Sequence, residues 1–436
     1  MIGDIEIQVI DNNDVELQLD PNLQLSSYQY ARLASQLIGE IPAAEMLDDE
    51  ELLAFQQIKQ QPFNAQPLQA GKVVVVLKAT RLCNLRCTYC HSWAEGPNQT
   101  VKFTTLVTIV KKVLAIPNVS RVEFVWHGGE VTLLKPQFFK KLIWLQEQFK
   151  RPDHHITNTM QSNAVNISDE WLTFLKGIGM SVGISFDGVP EINDSRRIDL
   201  KGRPTSHKVA AGIQKLKEYD IPYGALIVVD RAVYEIDAEY LLSYLASIQL
   251  NNIEFLNIVP DNRAQPGDDI GDNYISYAEY IQFLIRVYQV WHREYRDVIK
   301  IIMFENFAEV LTDQTKTLSA CYWAGNCSQE IITIEPNGDV SPCDKYVGDP
   351  GSIYGSLLNS DLAVLLKDSH HNKTAVQEEL DSQTQMHECE WFQICNGGCP
   401  HDRVINRRHV TGYDDKCCGT GKLLKVIKDS MCETIG

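Results

Sequence analysis

Between residues 72 and 260 short apolar runs rich in β-branched residues alternate with stretches whose apolar positions recur at helical spacing. The predicted strands are residues 73–77, 122–125, 155–160, 181–185, 225–229 and 253–258. Among the intervening helices, Leu106, Ile109, Val110, Val113 and Leu114 share one face. Six such repeats predict an α/β fold with a parallel sheet curled into a partial barrel. A longer helix with Tyr277, Ile281, Leu284, Tyr288 and Trp291 on one face is expected to close the barrel's edge or bridge to the next unit. Residues 1–70 differ in character, with the acidic cluster Asp48, Asp49, Glu50 and Glu51 and a Gln-rich tract at 56–61. They are read as an appended module that either grips a peptide or merely packs on the barrel, with candidate strands at 5–10 and 15–19 and a helix near 27–37. The barrel is assigned to 71–300. Residues 301–436 are expected to be loop-rich, as where metal clusters replace an apolar core.

Composition narrows the class. In 436 residues, 44% hydrophobic and 22% charged is the balance of a soluble globular protein. The apolar run at 73–77 is far shorter than the ~20 residues of a membrane span. The start lacks a secretory pattern, so a cytoplasmic location is expected. A formal charge of −17 argues against a nucleic-acid partner. Twelve cysteines then need a cause. Three lie within eight residues, none lies between 91 and 320, and nine follow 320. That segregation points to separate metal-binding regions rather than disulfides.

The first group, Cys83, Cys87 and Cys90, follows the first strand, where barrel enzymes place their chemistry. A cubane held by three thiolates leaves one iron open to a substrate or cofactor. The bland alternative is zinc, with His91 as a fourth ligand. The spacing, with Tyr89 before the last cysteine, resembles the radical S-adenosylmethionine (radical SAM) superfamily. The resemblance implies that the open iron chelates S-adenosylmethionine, and that reduction of the cluster yields a deoxyadenosyl radical that abstracts hydrogen from substrate. After the second strand, Trp126-His127-Gly128-Gly129-Glu130 looks like that family's turn at the methionine amine. Glycines allow close backbone approach there, and a carboxylate answers an ammonium. Without the cysteines upstream, the same Gly-Gly would read as an ordinary strand-to-helix turn. Ser185-Phe186-Asp187-Gly188 and Asn193-Asp194-Ser195-Arg196-Arg197 resemble a segment of peptide-modifying members. Ser185 is a candidate for the cofactor carboxylate or ribose, and Arg197 or Arg203 for the carboxylate. Gln161-Ser162-Asn163 is similarly placed, or simply caps a loop.

The later cysteines, Cys321, Cys327, Cys343, Cys389, Cys395, Cys399 and the pair Cys417 and Cys418, resemble the SPASM extension of radical SAM proteins, which carries auxiliary four-iron clusters. By position, the resemblance implies a first auxiliary cluster on Cys321, Cys327, Cys343 and Cys399, and a second on Cys389, Cys395 and Cys417 or Cys418. Where the pattern has a further cysteine this chain has Met386. The spare member of the adjacent pair is the expected replacement, with His387 or an open iron as alternatives. Cys432 is expected to be a small buried hydrophobe. Asp344, in Asp344-Lys345-Tyr346, resembles the catalytic base of anaerobic sulfatase-maturing enzymes, although a carboxylate in such a loop also commonly caps an amide.

The expected function is modification of a ribosomally made precursor peptide by radical hydrogen abstraction, giving a cross-link or cyclophane, an excision or an epimer. The peptide, an electron donor such as flavodoxin or ferredoxin, and a separate leader-binding protein are the expected partners. The alternatives are a sulfatase maturase making formylglycine and, in another class, a non-catalytic zinc scaffold, which would be colourless where iron-sulfur protein is brown.

Overall fold

The computed structural model describes residues 25–433 apart from 97, 314–315, 319–320, 324, 326, 347–348 and 414, and before residue 25 only 9–10 and 14–15. Residues 9–15 contribute an antiparallel pair, β1 (Val9–Ile10) and β2 (Asp14–Val15). The remainder of the expected strands at 5–10 and 15–19 lies outside the described residues.

All six predicted strands form and pair in parallel, in chain order: β3 (Lys72–Thr80), β4 (Arg121–Gly128), β5 (His155–Ser162), β6 (Val182–Ser185), β7 (Tyr223–Val229) and β8 (Asn252–Asn257). Their alternation sorts the two faces of the sheet. On β4, Val122, Phe124 and Trp126 are buried under the helices, whereas Glu123, Val125 and His127 are half-buried on the lumen side. Trp126 stacks at 4.4 Å on Phe139 of the helix Pro136–Phe149. This is the partial barrel expected from the sequence.

The sheet does not stop at six strands. β9 (Lys300–Ile301) pairs in parallel beyond β8, and β10 (Ile331–Ile334) pairs in parallel beyond β3. Two antiparallel strands, β11 (Asp339–Ser341) and β12 (Gly355–Ser356), complete an order β12-β11-β10-β3-β4-β5-β6-β7-β8-β9. The expected boundary at 300/301 falls inside β9, and one hydrogen-bonded sheet crosses it.

The C-terminal region is more helical than its composition suggested. It contains helices Leu362–Asp368, His370–Met386, Pro400–His409 and Thr420–Glu433. His370–Met386 lacks an apolar stripe: its buried residues are Asn372, Ser382 and Met386. It is tied instead by Glu378, which pairs with Arg403 at 3.2 Å and Arg407 at 3.0 Å. The helix Tyr277–Val290 packs on both Ala238–Ser247 and Thr420–Glu433, so it bridges barrel and C-terminal region.

Near the N-terminus, Ser27–Glu40 packs on Pro136–Phe149, and Asp49–Gln60 packs on Phe103–Leu114. The acidic cluster has a local purpose. Asp48 caps the helix, Glu51 returns the bond to the Asp48 amide, and the carboxylates of the first turn face the positive end of the dipole. The Gln-rich tract is mainly the tail of the same helix. Phe55 meets Trp144 edge-on at 4.8 Å, so these helices share the barrel's outer core.

Candidate active site

β3 ends at Thr80, and the following loop carries Cys83, Cys87 and Cys90 at the carboxyl end of the sheet. Backbone bonds fasten this loop to the segment after β6: the Arg86 amide donates to Ile198 O (2.8 Å) and the Thr88 amide to Arg196 O (2.9 Å). Amides also reach the sulfurs, Leu85 N to Cys83 Sγ at 3.4 Å and Ser92 N to Cys90 Sγ at 3.3 Å. Burial pushes the Cys83 thiol up to about 12, with the nearby Glu130, Cys87 and Cys90 adding to the rise. Burial likewise raises Cys87, against the pull of Arg197.

The turn after β4 is built by close approach. A Cβ on Gly128, which has φ +136°, would lie 2.0 Å from Thr80 O, and one on Gly129 2.1 Å from Leu82 O. The tight approach is therefore to the chain's own cysteine loop, which the Gly129 and Glu130 amides bond at 2.7 and 2.8 Å. The Glu130 carboxylate is 2% exposed and accepts from Thr132 N, Thr132 Oγ1, Ser162 Oγ and Asn163 N. Its four donors belong to this chain, so it braces the turn. Ser162 and Asn163 are thus wired into the site, and Asn163 also donates to Asn84 Oδ1 at 2.8 Å.

Tyr89 is fixed from two sides: it donates to Asp187 Oδ2 (2.7 Å) and accepts from Arg197 Nη1 (2.6 Å). Arg196 bonds Asp187, Asp230 and Val228 O, a buried tie from β6 to β7. Arg197 differs: it is 6% exposed and its Nε has no partner. A buried guanidinium with a spare N–H beside Cys87 fits a small anionic group such as the methionine carboxylate. Arg203 is taken up at the surface by Asp199 (2.8 Å). Ser185 points to the lumen and accepts from Gln161 Nε2 at 2.8 Å.

Sequence reasoning missed Lys78. It is wholly buried on β3, ion-paired with Asp344, 3.2 Å from His127 Nδ1 and 3.2 Å from Ser92 Oγ, two residues beyond Cys90. Burial opposes the Asp344 charge, but Lys78, with His127 and Arg81, overrides it and holds the carboxyl down at about 2. His127 is depressed to about 4 by burial and by Lys78. Its Nδ1 accepts from the Gly128 amide at 2.8 Å, so the neutral ring carries its proton on Nε2, and the 3.7 Å approach to Asp344 is not an ion pair.

The later cysteines form two sets. Cys321, Cys327, Cys343 and Cys399 lie close enough that their charges couple; burial raises Cys327, Cys343 and Cys399, while Cys321 keeps an exposed surface. Cys321 and Cys327 border a cavity of about 410 Å³ at the opposite, N-terminal end of the strands, lined also by Val74, Glu123 and Thr157. In the second set Cys389 Sγ lies 3.9 Å from Cys417 Sγ, and Cys395 Sγ 3.7 Å from Cys418 Sγ. Met386 is 1% exposed beside Gly397, and His387 bonds Thr384 O at the surface. Cys432 is exposed rather than buried, because it lies on the outer side of the last helix. Among the described residues no three His, Cys, Asp or Glu side chains gather as ligands of a single metal ion. Nor is any described helix long and apolar enough to cross a membrane.

Residues 77–244 match the radical SAM superfamily model. The chain is similar to a cysteine-type anaerobic sulfatase-maturating enzyme of Clostridium novyi, at 27% identity over 79% of this chain and 92% of that one. A serine-type enzyme of Bacteroides thetaiotaomicron is 29% identical over 77% and 84%. In fold it resembles native anSMEcpe with bound AdoMet (TM-score 0.68, 24% identity, 83% and 99% covered). It also resembles Streptococcus suis SuiB bound to precursor peptide SuiA (TM-score 0.53, 14% identity, 92% and 95% covered). With the cysteine loop, the Gly-Gly-Glu turn and the partial barrel in place, residues 77–244 form a radical SAM domain, the kind that works with a four-iron cluster and S-adenosylmethionine.

Proposed function

We propose that this enzyme oxidises a residue within a ribosomally made precursor peptide. The observation that carries the oxidative step, common to this reading and the one below, is the position of Asp344: it directly follows Cys343, yet its carboxylate meets Lys78 and through it Ser92, beside the first cysteine loop. Met386 in place of a cysteine and the added N-terminal module favour a precursor peptide over a sulfatase. An acid group would thereby sit between the loop that generates the radical and a second thiol set. Held ionised by Lys78, it is ready to accept a proton. The same pairing makes it a weak base, suited to a proton that turns acidic only as a substrate radical loses its electron.

The other assignments rest on the resemblance and are supported by the contacts described above. Cys83, Cys87 and Cys90 would hold the catalytic cluster, which with its nucleotide supplies one-electron cleavage to a hydrogen-abstracting radical. The Gly128–Glu130 turn, Ser185, Tyr89 and Arg197 would seat the nucleotide, with Arg197 Nε on its carboxylate. Cys321, Cys327, Cys343 and Cys399 would hold one auxiliary cluster. Cys389, Cys395, Cys417 and Cys418 would hold another, with the adjacent pair making good the thiolate lost at Met386. Anaerobic protein should then contain about twelve iron atoms.

A second reading is formylglycine formation in a sulfatase, favoured by the two types of sulfatase-maturating relatives. Anaerobic incubation with short peptides encoded beside this gene, against a sulfatase-derived peptide, separates the two by mass spectrometry. Loss of two hydrogens from the former supports the precursor-peptide reading. An aldehyde formed only in the sulfatase peptide overturns it.

A further inference from the structure

The short turn Asp344–Tyr346 sends neighbouring side chains to different tasks. Lys345 lies among the first auxiliary thiols. Its ammonium is 2.7 Å from both Asp402 carboxylate oxygens, 3.6 Å from Cys399 Sγ and 4.8 Å from the centre of the Tyr322 ring. Lysine and aspartate side chains are 15% and 7% exposed. A buried ion pair of this kind costs desolvation and is a poor stabilising device, so its place against a sulfur calls for a reason. Among the described residues, other charged groups near the four thiols are Glu379, whose carboxylate approaches Cys327 Sγ at 4.0 Å, Arg403, beside Cys399, and Lys72, Arg121, Glu123 and Glu330, which line the cavity that Cys321 and Cys327 border. Lys345 is the cation whose N–H reaches a sulfur of the set.

We propose that Lys345 is a potential-setting residue of the first auxiliary cluster, donating an N–H···S bond to Cys399 and making the cluster easier to reduce, with Asp402 orienting the ammonium. This rests on the proposed ligand set Cys321, Cys327, Cys343 and Cys399. Iron-sulfur potentials respond to net charge and to hydrogen bonds on the sulfurs. An electron arriving at the cluster adds one negative charge, and a fixed cation in a poorly screened interior stabilises that state. The Asp402 carboxylate, bonded to the ammonium and itself close enough to Cys399 to act on it, opposes the effect. The two residues should therefore act with opposite sign, which a purely structural pair would not do.

The test is an anaerobic redox titration of the full chain, followed by electron paramagnetic resonance, in a Cys83→Ala/Cys87→Ala/Cys90→Ala background that removes the catalytic signal. Iron is counted alongside. Lys345→Gln should lower one auxiliary midpoint so that the reduced fraction at fixed potential falls at least tenfold, about 59 mV for one electron. Asp402→Asn should raise the same midpoint, and the other auxiliary midpoint should stay put in both. Unchanged midpoints with iron retained overturn the inference, as does a shift of the same sign in both variants. If Lys345→Gln loses iron, Asp402→Asn decides: an upward shift supports the inference and none overturns it. Wild-type protein holding only about four irons would show instead that the auxiliary ligand reading itself is at fault, and the inference falls with it.

Discussion

The two cysteine-bearing regions are held in place by different means. Cys83, Cys87 and Cys90 sit on a loop braced by a nine-residue parallel strand, by the Gly128–Gly129 approach and by backbone bonds to residues 196 and 198. The later thiols sit on pieces such as the three-residue turn Cys321–Trp323 and the four-residue helices Cys327–Glu330 and Phe392–Cys395. Elements this short do not hold themselves together. The first loop is thus held in place without metal, whereas in the second region a bound cluster would contribute to the fold.

Substitutions should break this comparison in a definite order. The largest effect is expected from Cys87→Ala, which should abolish S-adenosylmethionine cleavage while leaving auxiliary iron in place, as read by nucleotide turnover and iron count. Asp344→Asn should slow peptide product formation about 100-fold with much less effect on nucleotide cleavage; equal loss of both in the same assay would remove the base role. Stripping iron under anaerobic conditions should raise amide exchange across residues 321–343 and 389–418 far more than across β3 to β8, because only the former depend on ligation.

The smallest effect is a pH dependence. His127 is neutral in the fold down to about 4, whereas in the unfolded chain it takes a proton near 6.5. Its contribution therefore destabilises the native state progressively as pH falls from 6.5 towards 4. With the side chain 26% exposed, the loss at pH 5 is discounted to about 1 kcal/mol. His127→Gln should flatten that slope in urea unfolding measured at pH 7 and pH 5.

The parts of the molecule that could be read from the chain are those governed by local period. The six barrel strands follow from alternation, and the cysteine loop and Gly-Gly-Glu turn follow from short spacings at strand ends. Three features escaped for physical reasons. Lys78 closes an apolar strand, where a lysine normally reads as the first solvated residue; its burial depends on Asp344, far along the chain. The helix His370–Met386 has almost no apolar stripe to betray it, being held by ion pairs from Pro400–His409. β10 is only four residues long, and its place beside β3 follows from tertiary pairing that no periodicity encodes. Within the site, Tyr89, Glu130 and Arg197 could be named in advance, but which of them was saturated and which had a spare N–H required coordinates.

The pairing of β10 with β3 has a consequence for how the protein can be divided. All four residues of β10 lie along Val74 to Leu77, covering backbone that would otherwise be an open ladder. A fragment ending at residue 300 would keep every barrel strand from β3 to β8 and still present that bare flank to solvent. Its first adhesive neighbour would be another copy of itself, so clumping rather than unfolding is the failure such a truncation invites.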